Sequence, residues 1–320
     1  MRVSFIIHTP HYKYTTDKIA RHLKCDYAYH TTFEDMDKYN PDVVVAGLDY
    51  KQLDNDKFIS IYTGHGLSWG SGLYSKSNGW YDYITIISEF LKEEILRLEA
   101  PPKKDIWVTG WPTTDNLFTK EVKPSVFDNI KRPVILYSPT SNPCSHLYLN
   151  DIHTLIPDGA TLMIKPHPVP GPTTHTIQIA EENIKDFTNI IVLDYYENPN
   201  DYIPYVDLII SDKSSVLFYP LIFPEKPIIQ CKFPNLFELW EWESKKYPQS
   251  SSCIERTWKA AWRPITSKEE LKIAIVEELA NPMRNYQIRK RYGDILFGNL
   301  RDGQSGKRIA EKIMQLEKKS

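Results

Sequence analysis

Short apolar runs alternate with longer amphipathic stretches along this chain, in two successive series. Runs of four or five apolar residues suit strands covered on both faces, and amphipathic stretches between them return the chain for parallel pairing. The first series predicts strands at Val3–Ile7, Val43–Ala46, Ile59–Tyr62, Ile84–Ile87 and Ile106–Val108. Helical spacing marks Thr15–Leu23 and Glu89–Glu99, with Ser88 placed to cap the latter. The second series predicts strands at Val134–Tyr137, Thr161–Ile164, Ile190–Leu193, Leu208–Ile210 and Pro227–Ile229. Helices are expected at Lys268–Leu279, Tyr286–Phe297 and Ser305–Lys318.

Lys120–Arg132 is polar, carries Pro124, is followed by Pro133, and separates the two series as a linker. A chain of 320 residues exceeds what one hydrophobic core usually supports, so two domains are expected. They are drawn at 1–130 and 131–302, with 303–320 as a closing helix that packs back on the first domain. Two doubly wound, Rossmann-like α/β domains with parallel sheets, facing each other, would line one cleft with the loops at their strand C-termini. Ligands bind there in such sheets.

Charge and cysteine usage narrow the partners. A formal net charge of -2 gives no reason to expect nucleic-acid binding. Cys25, Cys144, Cys231 and Cys253 are scattered, which predicts neither a metal site nor a disulfide framework and fits a reducing cytoplasm. No apolar run reaches the ~18 residues of a membrane span. The 8 Trp, several of them late in the chain, leave peripheral contact with the inner membrane face open. The Trp- and Tyr-rich stretch Phe233–Tyr247 reads as packing.

The unusual residues gather at strand ends. Gly64-His65-Gly66 follows the strand ending at Tyr62; the glycines let a substrate approach an imidazole whose ordinary pKa suits a general base. The other reading is a turn histidine that satisfies local hydrogen bonds. Lys165-Pro166-His167-Pro168 follows Thr161–Ile164; the prolines fix where His167 points, and a Lys/His pair suits an anionic group. A rigid crossover loop is the alternative. Ser211-Asp212-Lys213-Ser214-Ser215 leads into an apolar helix start, where free N–H groups and the dipole favour anions. Ser and Asp there are also plain N-caps.

Ser138 and Thr140 could face the same region, while His8 and His11 follow the first strand where an acceptor could approach. Gly110-Trp111-Pro112 leads to Asp115, as a turn or as a wall of the site. Neither a GxGxxG nor a GxxxxGK[ST] loop is present, which removes the commonest dehydrogenase and NTPase readings.

In this order and spacing the elements resemble the CDP-glycerol glycerophosphotransferase family, which includes the teichoic acid primases and polymerases. The matching pieces are Gly64-His65-Gly66, Gly110-Trp111-Pro112 with Asp115, Leu136–Thr140, Ile164–Pro168, Val206–Val216 with Glu225–Ile229, and Asp302-Gly303 with Ser305 and Arg308. The resemblance implies a GT-B fold. It also implies transfer of glycerol phosphate, or a similar alcohol phosphate, from a CDP-linked donor to a hydroxyl-bearing glycan or lipid-linked acceptor in cell-envelope or capsule synthesis. No cofactor is expected to be tightly bound, and a divalent cation accompanying the donor is left open.

By that analogy His65 deprotonates the acceptor, and His167 contacts the donor diphosphate and stabilises the departing CMP. Lys165, Ser211, Asp212, Ser214, Ser215, Ser138 and Thr140 surround the donor phosphates, with His11, Gly64, Gly66 and Asp115 on the acceptor side. The sequence departs from the pattern at Thr113, at Ser141-Asn142 and at Leu67–Gly70, where cationic side chains are often found. Those departures leave donor and acceptor identity open. A GT-B nucleotide-sugar glycosyltransferase, a UDP-N-acetylglucosamine 2-epimerase relative and a non-catalytic scaffold stand as alternatives.

Overall fold

The computed structural model describes residues 1–64, 76–97, 99, 101–119, 123–139, 152–167, 189–212, 214–232 and 261–316. Of the positions singled out above, His65, Gly66, Leu67–Gly70, Thr140, Ser141, Asn142, Cys144, Pro168, Lys213, Cys253 and the stretch Phe233–Tyr247 lie outside these residues. The chain divides into two compact units, one made of Met1–Glu121 with Asp294–Ser320 and the other of Val122–Gly293. The first boundary falls inside the expected linker. The second falls earlier than the expected change at 302/303.

The first unit carries β1 (Arg2–Ile6), β2 (Asp26–His30), β3 (Val43–Ala46), β4 (Ile59–Tyr62), β5 (Tyr83–Ile86) and β6 (Asp105–Val108). The second carries β7 (Val134–Tyr137), β8 (Thr161–Ile164), β9 (Ile190–Val192), β10 (Leu208–Ser211), β11 (Ile228–Cys231) and β12 (Arg263–Ile265). Helices α1 (Lys13–Ala20), α2 (Phe33–Tyr39) and α3 (Glu89–Arg97) follow β1, β2 and β5. Later in the chain, α4 (Lys268–Ala280) lies in the second unit, α5 (Tyr286–Phe297) runs from the second unit into the first, and α6 (Ser305–Met314) belongs to the first.

Each sheet has six strands, in the orders β2-β1-β3-β4-β5-β6 and β12-β11-β10-β7-β8-β9. The pairings within them are parallel. In the first sheet the chain moves from β1 to β2 on one side, then resumes at β3 on the other. In the second it builds outward through β8 and β9, then returns to β10 beside β7. Both sheets are therefore doubly wound, with switch points at β1/β3 and β7/β10, and such points open crevices at the strand C-termini.

Central strands such as Val43–Ala46 and Val134–Tyr137 are buried at every position, as their unbroken apolar runs require. In the first unit Val3, Phe5, Val43, Val45, Ile59 and Ile61 pack with Ile19 of α1 and with Ile309, Ala310 and Ile313 of α6. In the second, Ile135, Leu162, Ile164, Leu208 and Ile210 pack with Leu271, Ala274 and Ile275 of α4. The expected cap at α3 forms, with Ser88 Oγ accepting the Leu91 N–H at 3.5 Å. Among the described residues, no helix is long and apolar enough to cross a membrane.

Candidate functional site

The switch point of the second sheet brings together loops that are distant in sequence. Ser138 follows β7, and its N–H donates to the Ile210 carbonyl of β10 at 2.9 Å. Ser211 ends β10, and its hydroxyl donates to the Ser138 carbonyl at 2.6 Å. The two serines thus staple the C-terminal ends of the central strands, and both are buried, as is Asp212. Ser214 then accepts the Val216 N–H on its hydroxyl at 3.3 Å and caps a 3-10 turn, Ser215–Phe218, that runs into Tyr219–Ile222. Ser214 and Ser215 are half-buried, with part of their surface open to solvent. The sequence anticipates a helix N-terminus here. The structure supplies one of tight 3-10 geometry, whose early N–H groups can face an anion.

Lys165 follows β8 next to this point and is only 3% exposed. Its ammonium donates to the Pro166 carbonyl at 2.6 Å and the Tyr195 carbonyl at 2.9 Å. Burial pushes its pKa down to about 8, against the opposing pull of Glu197 and Asp194. The lysine therefore ties the loop after β8 to the loop after β9, and it fixes the base from which half-buried His167 emerges. The lysine thus holds backbone through two of its three N–H groups. The sequence reads it as a cation for phosphate and carries no mark of the two carbonyls that meet it.

At the switch point of the first sheet, Thr63 leaves β4 with its N–H donating to the Ala46 carbonyl at 2.9 Å, and Gly64 follows with a φ of 63°. A Cβ on Gly47 would stand 3.3 Å from the Gly64 carbonyl oxygen and 3.4 Å from Tyr12, so two loops pass closely there. His11 Nδ1 shares a hydrogen bond with Thr9 Oγ1 at 2.9 Å, and its ring lies 4.1 Å from that of Tyr12. His8 is exposed and stacks on Tyr50 at 4.8 Å.

Sequence reasoning missed the tyrosines gathered here. Tyr81 Oη donates to the Leu48 carbonyl at 2.5 Å and accepts the Tyr50 N–H at 2.9 Å, while its ring lies 5.1 Å from that of Tyr62. Ser77 donates to Asp49 at 2.7 Å. Burial pushes the Tyr50 hydroxyl up to about 12 and raises Tyr12, Tyr62 and Tyr81 as well. All four stay protonated donors near neutral pH. Their signal was available in sequence, as polar-tipped aromatics after β1, after β3, and in and after β4.

Asp115 sits elsewhere in the first unit, 1% exposed. Its carboxylate accepts the Ser305 N–H at 3.1 Å and the Gly306 N–H at 2.8 Å, capping the start of α6. Desolvation raises its pKa, and these donors oppose the rise. Gly110 (φ 88°) faces Ser305, and a Cβ on Gly306 would collide with the backbone carbonyl of Lys18 in α1. Arg308 pairs with Asp302 and donates to the Thr109 carbonyl at 3.3 Å. Gly110, Asp115, Gly303, Ser305 and Arg308 therefore form one joint that seats α6.

The chain is similar in structure to the wall teichoic acid polymerase TagF in a variant soaked with CDPG. The TM-score is 0.65 at 14% identity, over 98% of this chain and 88% of that one. It is also similar to S. aureus MnaA solved with UDP, with TM-score 0.64 at 11% identity over 98% and 95% of the two chains. A third likeness is to Methanocaldococcus jannaschii UDP-GlcNAc 2-epimerase in complex with UDP-GlcNAc and UDP, with TM-score 0.62 at 15% identity over 98% and 99%. These likenesses establish a fold of the GT-B type. No curated protein matches the chain in sequence. The model of the CDP-glycerol:poly(glycerophosphate) glycerophosphotransferase family matches residues 68–315, which take in the Lys165–His167 and Ser211–Ser215 loops and the α6 joint but start after His65. The chain belongs to that transferase family.

Proposed function

We propose that this protein transfers glycerol phosphate, or a closely similar alcohol phosphate, from a CDP-linked donor to a hydroxyl acceptor during synthesis of a cell-surface polymer. The family match across residues 68–315 supports this reading more than any other observation. An acceptor hydroxyl oxygen attacks the phosphorus that bears the glycerol. A new P–O bond forms, the bond to the CMP oxygen breaks, CMP leaves, and the hydroxyl proton passes to a base. His65 is that base, and His167 donates to the donor diphosphate where charge grows on the departing CMP.

The Ser138, Thr140 and Ser211–Ser215 loops hold the donor phosphates, with Lys165 fixing the loop that presents His167. Gly64 and Gly66 leave room at His65, and His11 stands on the acceptor side. Asp115 acts by seating α6, because its carboxylate already accepts two backbone N–H groups. Such a transfer asks mainly for positioning and charge stabilisation from the protein. The acceptor is a hydroxyl-bearing glycan or lipid-linked molecule met at the cytoplasmic face of the membrane.

A thermal-shift panel of CMP, CDP, CDP-glycerol, UDP-sugars and GDP-sugars tests the donor. Cytidine nucleotides should raise the Tm of wild type selectively, and His167→Ala should lose that rise. His65→Ala should keep donor binding and lose about 10²–10⁴-fold in turnover. Selective stabilisation by uridine nucleotides would replace this reading with an epimerase or glycosyltransferase one. No response to any nucleotide would leave a scaffold.

A further inference from the structure

Strand β11 reads Ile228-Ile229-Gln230-Cys231 and is buried at every position. Gln230 is 0% exposed in the middle of this sheet. A primary amide in such surroundings is unfavourable unless its polar atoms are matched. Only half of this one is matched. Gln230 Nε2 donates to the Asp212 carbonyl at 3.0 Å, whereas Oε1 is buried with no hydrogen-bond partner among the described residues. The orientation of the amide follows from chemistry, because the group facing a carbonyl oxygen must be the NH2 end.

The carbonyl it holds is the informative part. Gln230 stands opposite Ser211 in the parallel ladder, and Ser211 is the last residue of β10. Asp212 is the first residue beyond the strand, where ladder bonds no longer fix the backbone. On the β7 side, Ser211 Oγ grips the Ser138 carbonyl. On the β11 side, Gln230 grips the Asp212 carbonyl. The chain is thus held on both sides, by its own Ser211 hydroxyl toward β7 and by the Gln230 amide from β11, just before it turns into the Ser214-capped segment. Methionine has nearly the same shape as glutamine and would remove the unmatched oxygen, but it would also take the donor from the buried Asp212 carbonyl. The one matched contact of the amide is to the backbone of the loop, so it acts on the direction of that loop.

We infer that Gln230 is a positioning residue that sets the direction of the Asp212–Ser215 loop for the phosphates of the donor. This rests on the donor reading given above. It goes beyond that reading by naming a fully buried strand residue, absent from every loop that meets the ligand, as a determinant of donor affinity.

Gln230→Met tests it, with Ile229→Val as a packing control in the same strand. Tm, CDP-induced stabilisation and the separate KM values for CDP-glycerol and acceptor are measured on both variants and wild type. Gln230→Met should lower the Tm modestly, because the buried Asp212 carbonyl loses its donor, while raising the KM for CDP-glycerol about five- to tenfold and leaving the acceptor KM unchanged, the size expected when one orienting hydrogen bond is lost. Ile229→Val should leave both KM values unchanged. The inference is overturned if Gln230→Met binds CDP and turns over like wild type. It is equally overturned if Gln230→Met loses donor affinity only alongside a fall in Tm, with Ile229→Val showing the same coupling. Failure of wild type itself to respond to CDP would overturn the donor reading and this inference together, and it is read on a different sample.

Discussion

Lys165, read in sequence as a cation for the donor phosphates, also ties backbone together in the fold. Its ammonium meets two backbone carbonyls, and its pKa falls to about 8 because burial disfavours the charge. In the unfolded chain a lysine titrates near 10.4, so between about pH 8 and that value the unfolded state binds more protons. Stability should therefore rise with pH across this window. Buried tyrosines, whose pKa values are raised, pull the other way above about pH 10. Lys165→Met should remove the lysine's part of the slope, so the difference between wild-type and variant denaturation free energies isolates it. A difference that stays flat from pH 8 to 10 would mean the ammonium is not held as described. The motif around His167, two residues on, was legible because its prolines are local in sequence. The carbonyl partner of Gln230 was not, because it belongs to the loop after another strand.

At the scale of elements, the apolar runs predicted every strand among the described residues except β2 and β12, and those two share a cause. Both are edge strands, Asp26–His30 in one sheet and Arg263–Ile265 in the other, so neither is covered as central strands are. Asp-Tyr-Ala-Tyr-His stays partly exposed, and Arg-Pro-Ile tolerates its proline because an edge strand can leave one side unpaired. The α6 helix carries the element-scale prediction. Asp115→Ala leaves the Ser305 and Gly306 N–H groups buried without their acceptor, which should cost about 2–4 kcal/mol. Gly306→Ala should also destabilise, since its Cβ would press on the Lys18 carbonyl. Both should lower the Tm of the first unit while CDP-induced stabilisation persists. Unchanged melting of Asp115→Ala would show that α6 is held by its apolar face alone.

For the whole molecule, the division into units makes a further prediction. The second unit is one continuous stretch, Val122–Gly293, while the first is assembled from Met1–Glu121 and Asp294–Ser320. A 122–293 fragment should fold alone and melt cooperatively by circular dichroism. A 1–121 fragment should not, because Ile309, Ala310 and Ile313 of α6 complete its core. Adding a 294–320 peptide in trans should restore order to it. Cooperative melting of 1–121 without the peptide would refute the dependence. The two-unit plan was legible as two strand series with a polar stretch between them. A closing helix returning to the first unit was expected from residue 303, but its start at Asp294 was not legible, because nothing in the helical repeat of α5 marks where one core ends and the next begins.

The same return of α6 sets an order of events on the ribosome. The strands of the first unit emerge early, yet the helix that covers Val3, Phe5 and Ile19 emerges only after the whole second unit has been made. At ordinary elongation rates of ~5–20 residues per second, that apolar face waits for roughly ten seconds or more with part of its covering unmade. Holding chaperones would find their longest opportunity there. Substitutions in α6 that barely alter the finished enzyme would be felt as lost yield during synthesis, before any catalytic assay could register them.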